Sequence, residues 1–240
     1  MIHFFRKIRH GLLSENKFKK YLLYAIGEIF LVVVGILIAL QINNWNDRRL
    51  EKKDEIRSYE NIRQQVVDDK KELTAVMNFN NYYSKTYEYA NKIIMSNDRN
   101  KSDSLALIAM GLSQYSDFHR SGNIYETLVN SGDLKLLKNT DIPSKLQQLE
   151  MTYIFANKLE DMHWEIIINE LSPELRGVIN YATFQPVKPE KLYEVEIQNI
   201  IVESIYLTKA KDSVYRQALS EIDAIIGYID EELHANGMNK

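Results

Sequence analysis

Residues 21–42, YLLYAIGEIFLVVVGILIALQI, constrain this chain more than any other stretch. The run has no Lys or Arg, and 14 of its residues are Leu, Ile, Val or Phe. At 1.5 Å per residue, about 20 helical residues cross the roughly 30 Å hydrocarbon layer of a bilayer. A buried core helix of this composition is usually shorter. A cleaved signal peptide has an apolar run of about 7–15 residues and a small-residue cleavage site. Here the exit reads Ala39-Leu40-Gln41-Ile42-Asn43, with no A-x-A pattern. A single uncleaved transmembrane helix over 21–42 is therefore expected. Glu28 opposes it, because a central charge costs about 2.5–3.5 kcal/mol, whereas each Leu, Ile, Val or Phe contributes about −0.3 to −0.6. Fourteen such residues outweigh one carboxylate.

Lys and Arg set the orientation. Arg6, Lys7, Arg9, Lys17, Lys19 and Lys20 precede the span, and Arg48, Arg49, Lys52 and Lys53 follow it closely. Positive residues favour the cytoplasmic side, so residues 1–20 form a basic cytoplasmic or interfacial segment. Residues 43–240 then form a domain outside the inner membrane. Trp45 suits the outer interface, and Tyr21 and Tyr24 the inner one. Within 1–13, Phe4, Phe5, Ile8, Leu12 and Leu13 recur near helical spacing between basic residues. That pattern fits either a surface-lying amphipathic helix or a plain positive-inside tail. The chain has no cysteine, hence no disulfide framework and no thiol chemistry.

Two stretches carry a resemblance. FFRKIRHGLLSENKFKKYLLYAIGEIFLVVVGILIALQINNWN, residues 4–46, resembles the opening of a family of uncharacterised membrane-anchored proteins of Bacteroidota, flavobacteria in particular. The segment ENKFKKYLLYAIGE is the distinctive part. SGNIYETLVNSGDLKLLKN, residues 121–139, is similar more loosely, through Tyr125, Leu128, Gly132 and Leu136. The resemblance implies a Gram-negative cell with the body of the protein in the periplasm. It brings no activity and no catalytic residue.

Beyond the span the periodicity predicts an all-α domain, a four-helix-bundle-like ectodomain of long amphipathic helices. No Pro or Gly occurs between Gly35 and Gly111. Leu50, Ile56, Tyr59, Ile62, Val66, Leu73, Val76, Met77, Tyr83, Tyr87, Ala90 and Ile94 share one face of a helix ending near Ser96. After a polar turn at 97–104, a short helix is expected over 104–114. Asn123 and Glu126 form a variant capping box for another short helix, which Gly132 can close in a left-handed conformation. Asn139-Thr140-Asp141, with Pro143 in the first turn, opens a long helix to about Leu171. Its stripe is Leu146, Leu149, Tyr153, Phe155, Leu159, Met162 and Ile166. Residues 172–189 read as an irregular connection with a short helix. A last helix runs from about Pro189 to Leu233 on a stripe that includes Leu192, Val195, Ile201, Ile205, Tyr215, Ile222 and Ile229. No strand-period segment is long enough for a sheet.

The chemistry on offer is sparse. Glu160/His163 and Glu231/His234 are two Glu-x-x-His pairs of the kind that build di-iron sites in bundles. On the predicted wheel, Glu160 and His163 flank the apolar stripe, and His163 is placed as a half-buried partner of Glu160. Tyr82, Tyr83, Tyr87 and Tyr89 are either a stacking patch or a filled core edge. Phe118-His119-Arg120-Ser121, ahead of the Asn123 helix start, could hold an anion. None of these amounts to a catalytic, cofactor-binding or metal-binding set. From Asn43 on, 24 Lys and Arg face 31 Asp and Glu, which argues against nucleic acid as a partner. The membrane helix offers the sharper candidate. Glu28, Gly35 and Ala39 share one face, and Gly35-x-x-x-Ala39 is a small-xxx-small pair that lets helices approach closely.

The function expected is that of a single-pass, non-enzymatic inner-membrane protein acting through protein–protein interaction. Its partners would be the bilayer and either a second copy or another membrane protein, as a homo-oligomer or an accessory subunit of an envelope complex. A periplasmic ligand-sensing module is the alternative, and a metal-dependent bundle enzyme a more distant one.

Overall fold

The computed structural model describes residues 18–120 and 122–235. The basic segment through residue 17, the 1–13 amphipathic pattern, Ser121 and the side chains of Tyr21 and Tyr24 lie outside the described residues. The protein is all-α apart from a two-residue strand pair. Its elements are α1 (Phe18–Met95), α2 (Ser102–Gly111), α3 (Ile124–Ser131), α4 (Asp141–Ile166), α5 (Ser172–Arg176), β1 (Ile179–Asn180), β2 (Gln185–Pro186) and α6 (Val195–Ala235). Two compact units are distinguished, Met1–Asp54 and Glu55–Lys240.

The first unit is helical throughout its described length. It holds a stretch long and apolar enough to cross a membrane, by length and composition, and none of the most apolar window is buried. Beyond it Asn43 donates to Asp47 at 2.9 Å, and Arg49 lies 5.9 Å from the Trp45 ring centre. Leu50 is exposed rather than part of a core face.

In the second unit three long helices pack together, with α1 and α4 parallel and α6 antiparallel to both. Cross-links fix this sense: Arg63–Asp230 and Lys70–Asp223 join α1 to α6, Asp69–Tyr153 and Tyr87–His163 join α1 to α4, and Gln148–Glu221 and His163–Lys211 join α4 to α6. Each helix presents a line of residues alternately three and four apart. On α1 it runs Glu55, Tyr59, Ile62, Val66, Asp69, Leu73, Val76, Asn80, Tyr83, Tyr87, Ala90 and Ile94. On α4 it runs Ile142, Leu146, Leu149, Tyr153, Ala156, Glu160, His163 and Ile167. On α6 it runs Ile201, Ser204, Thr208, Lys211, Tyr215, Ala218, Ile222, Ile225 and Ile229. Apart from half-buried Val76 and Tyr83, every one of these side chains is buried. This is coiled-coil spacing, and it points each line at its neighbours continuously.

Two apolar clusters result. One joins Tyr59–Leu73 of α1 to α3, α4 and the C-terminal half of α6. The other joins Tyr87–Ile94 to α2, α5, the hairpin and the start of α6. Parallel α1 and α4 require the chain to return between them, and residues 96–140 do so. Asn123 caps α3 by accepting from the Glu126 backbone at 2.9 Å while its amide donates to the Glu126 carboxylate. Gly132 ends α3 at φ 79°, where a Cβ would be strained.

Several boundaries and faces differ from the sequence reading. The short helix is Ser102–Gly111, starting two residues and ending three residues earlier than expected. α4 passes at Ile167–Leu171 into a π-turn, whose extra residue per turn rephases Leu171 and Leu175 onto the core. The last helix starts at Val195, after a separate 3-10 turn at Pro189–Tyr193. Phe155, Met162 and Val195, read as inward, are 50%, 47% and 59% exposed. With Met151 and Ile154, Phe155 and Met162 form an outer apolar stripe on α4. Beside it runs a shallow groove lined by Gln148, Met151, Thr152, Phe155, Val214 and Gln217.

Candidate functional site

Glu28, Gly35 and Ala39 lie in the first unit. Glu28 and Ala39 are exposed, and a methyl added at Gly35 would meet nothing within 4 Å.

The second unit contains a site that the sequence reading did not assemble. Residues 114–120 have no regular secondary structure and run between α1, α4 and α6. A strap of this kind must satisfy its backbone polar groups elsewhere. Side chains of the helices do so. Tyr87 donates to the Gln114 carbonyl at 3.0 Å, Lys211 to the Ser116 carbonyl at 3.3 Å, and Asn157 to the Phe118 carbonyl at 3.1 Å. The Phe118 N–H donates to Glu160 Oε1 and the His119 N–H to Glu72, both at 3.1 Å. The Phe118 ring is buried against Tyr153, with centroids 4.9 Å apart.

Under the strap lies a polar network between the two apolar clusters. Glu160 Oε1 also accepts from the Tyr215 hydroxyl, and Oε2 accepts from Asn157 at 2.9 Å. The Tyr215 and Ser116 hydroxyls are 3.1 Å apart. Ser116 donates to Asn80 Oδ1 at 3.1 Å, and Asn80 donates to the Thr208 carbonyl at 2.8 Å. Lys211 donates to His163 Nδ1 at 3.0 Å, which leaves the ring proton on Nε2. That nitrogen is buried with no hydrogen-bond partner among the described residues. The rings of Tyr87 and Tyr115 stand edge-on to the His163 ring, with centroids 6.3 and 6.0 Å away.

Burial dominates the electrostatics. It pushes the Glu160 carboxyl up to about 7, although Tyr215, Asn157 and Lys211 pull the other way. It drives His163 down to about 3, with Lys211 adding to the fall. The Lys211 amine drops to about 8, while Glu160 and Asp117 hold it up in part. The Tyr215 and Tyr87 phenols are raised, mainly by burial. No carboxylate makes an ion pair with Lys211 among the described residues. The hydroxyls serve either form of Glu160. Ionised, it accepts from Tyr215. Protonated, it donates to Tyr215, which turns to Ser116, which keeps donating to Asn80.

The sequence candidates fare differently. Glu160 and His163 are fully buried on the core line of α4, not flanking it, and His163 pairs with Lys211 rather than Glu160. The large apolar residues Phe155 and Met162 had drawn the predicted stripe one position out of phase. His234 is exposed and contacts its own helix at the Asp230 carbonyl. Of the Tyr cluster, Tyr87 is buried and Tyr83 half-buried, whereas Tyr82 and Tyr89 are exposed. Arg120 does not await an anion, because it is paired with Glu150. Lys211, Asn80 and Ser116 were missed altogether. The available signal was the strict three–four spacing Ser204, Thr208, Lys211, Tyr215, which puts a lysine in a core line.

Comparison with curated proteins gives no match, and comparison with solved structures gives none. A family model matches residues 28–209, a region that includes the strap, Glu160 and His163 and stops two residues before Lys211. The chain therefore belongs to the DUF6090 family, a family of unknown function.

Proposed function

We propose that this protein is a single-pass, membrane-anchored interaction protein that assembles through its span. The supporting observation is the helix surface over 26–42, apolar, largely exposed, and open at Gly35. In lipid, helix pairs gain from close packing, and a Gly35/Ala39 seam permits it. Glu28 on the same face is then shielded from lipid by the neighbouring helix. The basic residues before the span favour a cytoplasmic N-terminus and a periplasmic domain of a Gram-negative envelope. The helical domain would present a bundle-like surface to partners. The exposed α4 stripe of Met151, Ile154, Phe155 and Met162 is a second contact surface of apolar character.

Cross-linking in native membranes tests the span. Gly35→Leu and Ala39→Leu should remove the cross-linked species, and Val34→Leu, on the flanking face, should keep it. Glu28→Gln should keep assembly, since the amide still hydrogen-bonds, whereas Glu28→Lys should lose it. Equal behaviour of Gly35→Leu and Val34→Leu would overturn the assignment of this face.

A further inference from the structure

The strap has no regular secondary structure, unlike the helices it lies on. Its backbone is held at five points by side chains, each through a single hydrogen bond, and its Ser116 and Phe118 side chains are buried. The helices it lies on are joined independently by their own core lines. Closing the strap places the Ser116 carbonyl and the Tyr115 ring over the Lys211 amine, which is then fully buried. We propose that residues 114–120 are a latch that opens and closes without unfolding the helices, and that alkaline conditions tighten it by discharging Lys211.

The groups facing Lys211 decide the direction. From α4 these are Glu160 and His163, from the strap Tyr115 and Asp117, and from α6 Tyr215. α1 supplies the neutral side chains Asn80 and Tyr87. Lifting the strap removes the Ser116 carbonyl and the Tyr115 ring from Lys211 and opens that side to water, which moves the amine back toward its ordinary value of about 10.5. In the closed state the proton leaves near pH 8. Between these values opening takes up one proton, so rising pH favours closure. The neutral amine still has N–H groups for Ser116 and His163, so both bonds survive. The Tyr115, Tyr87 and Tyr215 phenols are all raised and stay protonated across the lower part of this window. Glu160 and His163 have completed their titrations below it.

Hydrogen exchange on the full chain in lipid nanodiscs is the test. Exchange rates are corrected for the intrinsic effect of pH, and the 116–119 amides are compared with those of α6. Between pH 8 and 10 the strap's protection should rise by up to about tenfold per pH unit, against a flat α6 reference. Lys211→Met should abolish the slope. A flat wild-type profile, a slope shared equally by α1, α4 and α6, or a slope that persists in Lys211→Met would each overturn the latch. Should Lys211→Met not fold, Ser116→Cys gives the otherwise cysteine-free chain one thiol while leaving the Ser116 carbonyl contact in place. Its alkylation rate, corrected for thiolate fraction, should fall over the same range, and an unchanged or rising rate would refute the proposal.

Discussion

Glu160→Gln should change the stability of this protein by an amount that depends strongly on pH. The carboxyl group faces three donors: the Phe118 N–H and the Tyr215 hydroxyl on Oε1, and the Asn157 amide on Oε2. Glutamine keeps one acceptor and sets an NH2 against the Asn157 NH2. Flipping Asn157 does not help, because its amide also donates to the Phe118 carbonyl. One buried donor is therefore orphaned, which costs about 1–3 kcal/mol. That is the difference near pH 5, where wild-type Glu160 is largely neutral. The folded group titrates near 7, above the ordinary value of 4.5. The folded state therefore holds the extra proton between those values, and wild-type stability falls as pH rises through them. The shift is worth about 3 kcal/mol by pH 8. The glutamine variant has no such loss, so its deficit should shrink and close, or change sign, by pH 8. His163 titrates identically in both proteins and cancels. The assay is chemical denaturation of both forms in detergent at pH 5, 6, 7 and 8, followed by the fluorescence of Trp164, which stacks on Tyr115 beside the strap. A deficit that stays constant over that range would refute the assignment of Glu160 as a buried, raised carboxyl.

The other predictions are local. Asn123→Ala removes the α3 cap and should cost about 1 kcal/mol in the same denaturation assay. Gly132→Ala places a Cβ at φ 79° and should cost roughly 1 kcal/mol, where Gly227→Ala, within α6, should be neutral or stabilising. A periplasm-dependent reporter fused after Lys240 should be active and a cytoplasm-dependent one silent. Reversing several charges among Arg6, Lys7, Arg9, Lys17, Lys19 and Lys20 should scramble that result.

Features encoded by neighbouring residues were legible in the sequence. The Asn123 cap, the Gly132 terminator, the Asp141 start with Pro143 behind it and the long uninterrupted first helix each depend on chemistry within one or two turns. The phase of a stripe was less secure, because hydrophobicity alone marks both inward and outward apolar faces. Phe155 and Met162 outweighed Glu160 and His163 for that reason. The strap network was not legible, since Asn80, Ser116, Asn157, Glu160, His163, Lys211 and Tyr215 come from four segments that only packing unites. Strand alternation could not reveal β1 and β2 either, at two residues each.

The polar members of the three core lines also bear on alignment. A repeat of seven residues is nearly indifferent to a slip of one heptad, because apolar layers then meet other apolar layers. Asp69, Asn80, Glu160 and Lys211 break that degeneracy. Only one setting gives Asp69 the Tyr153 hydroxyl and Asn80 the Ser116 hydroxyl. A slipped α1 would carry both away from their partners and bury them unpaired. The same residues that make the core less oily than it could be thus act as an index mark, selecting a single docking of helices whose hydrophobic pattern would tolerate several.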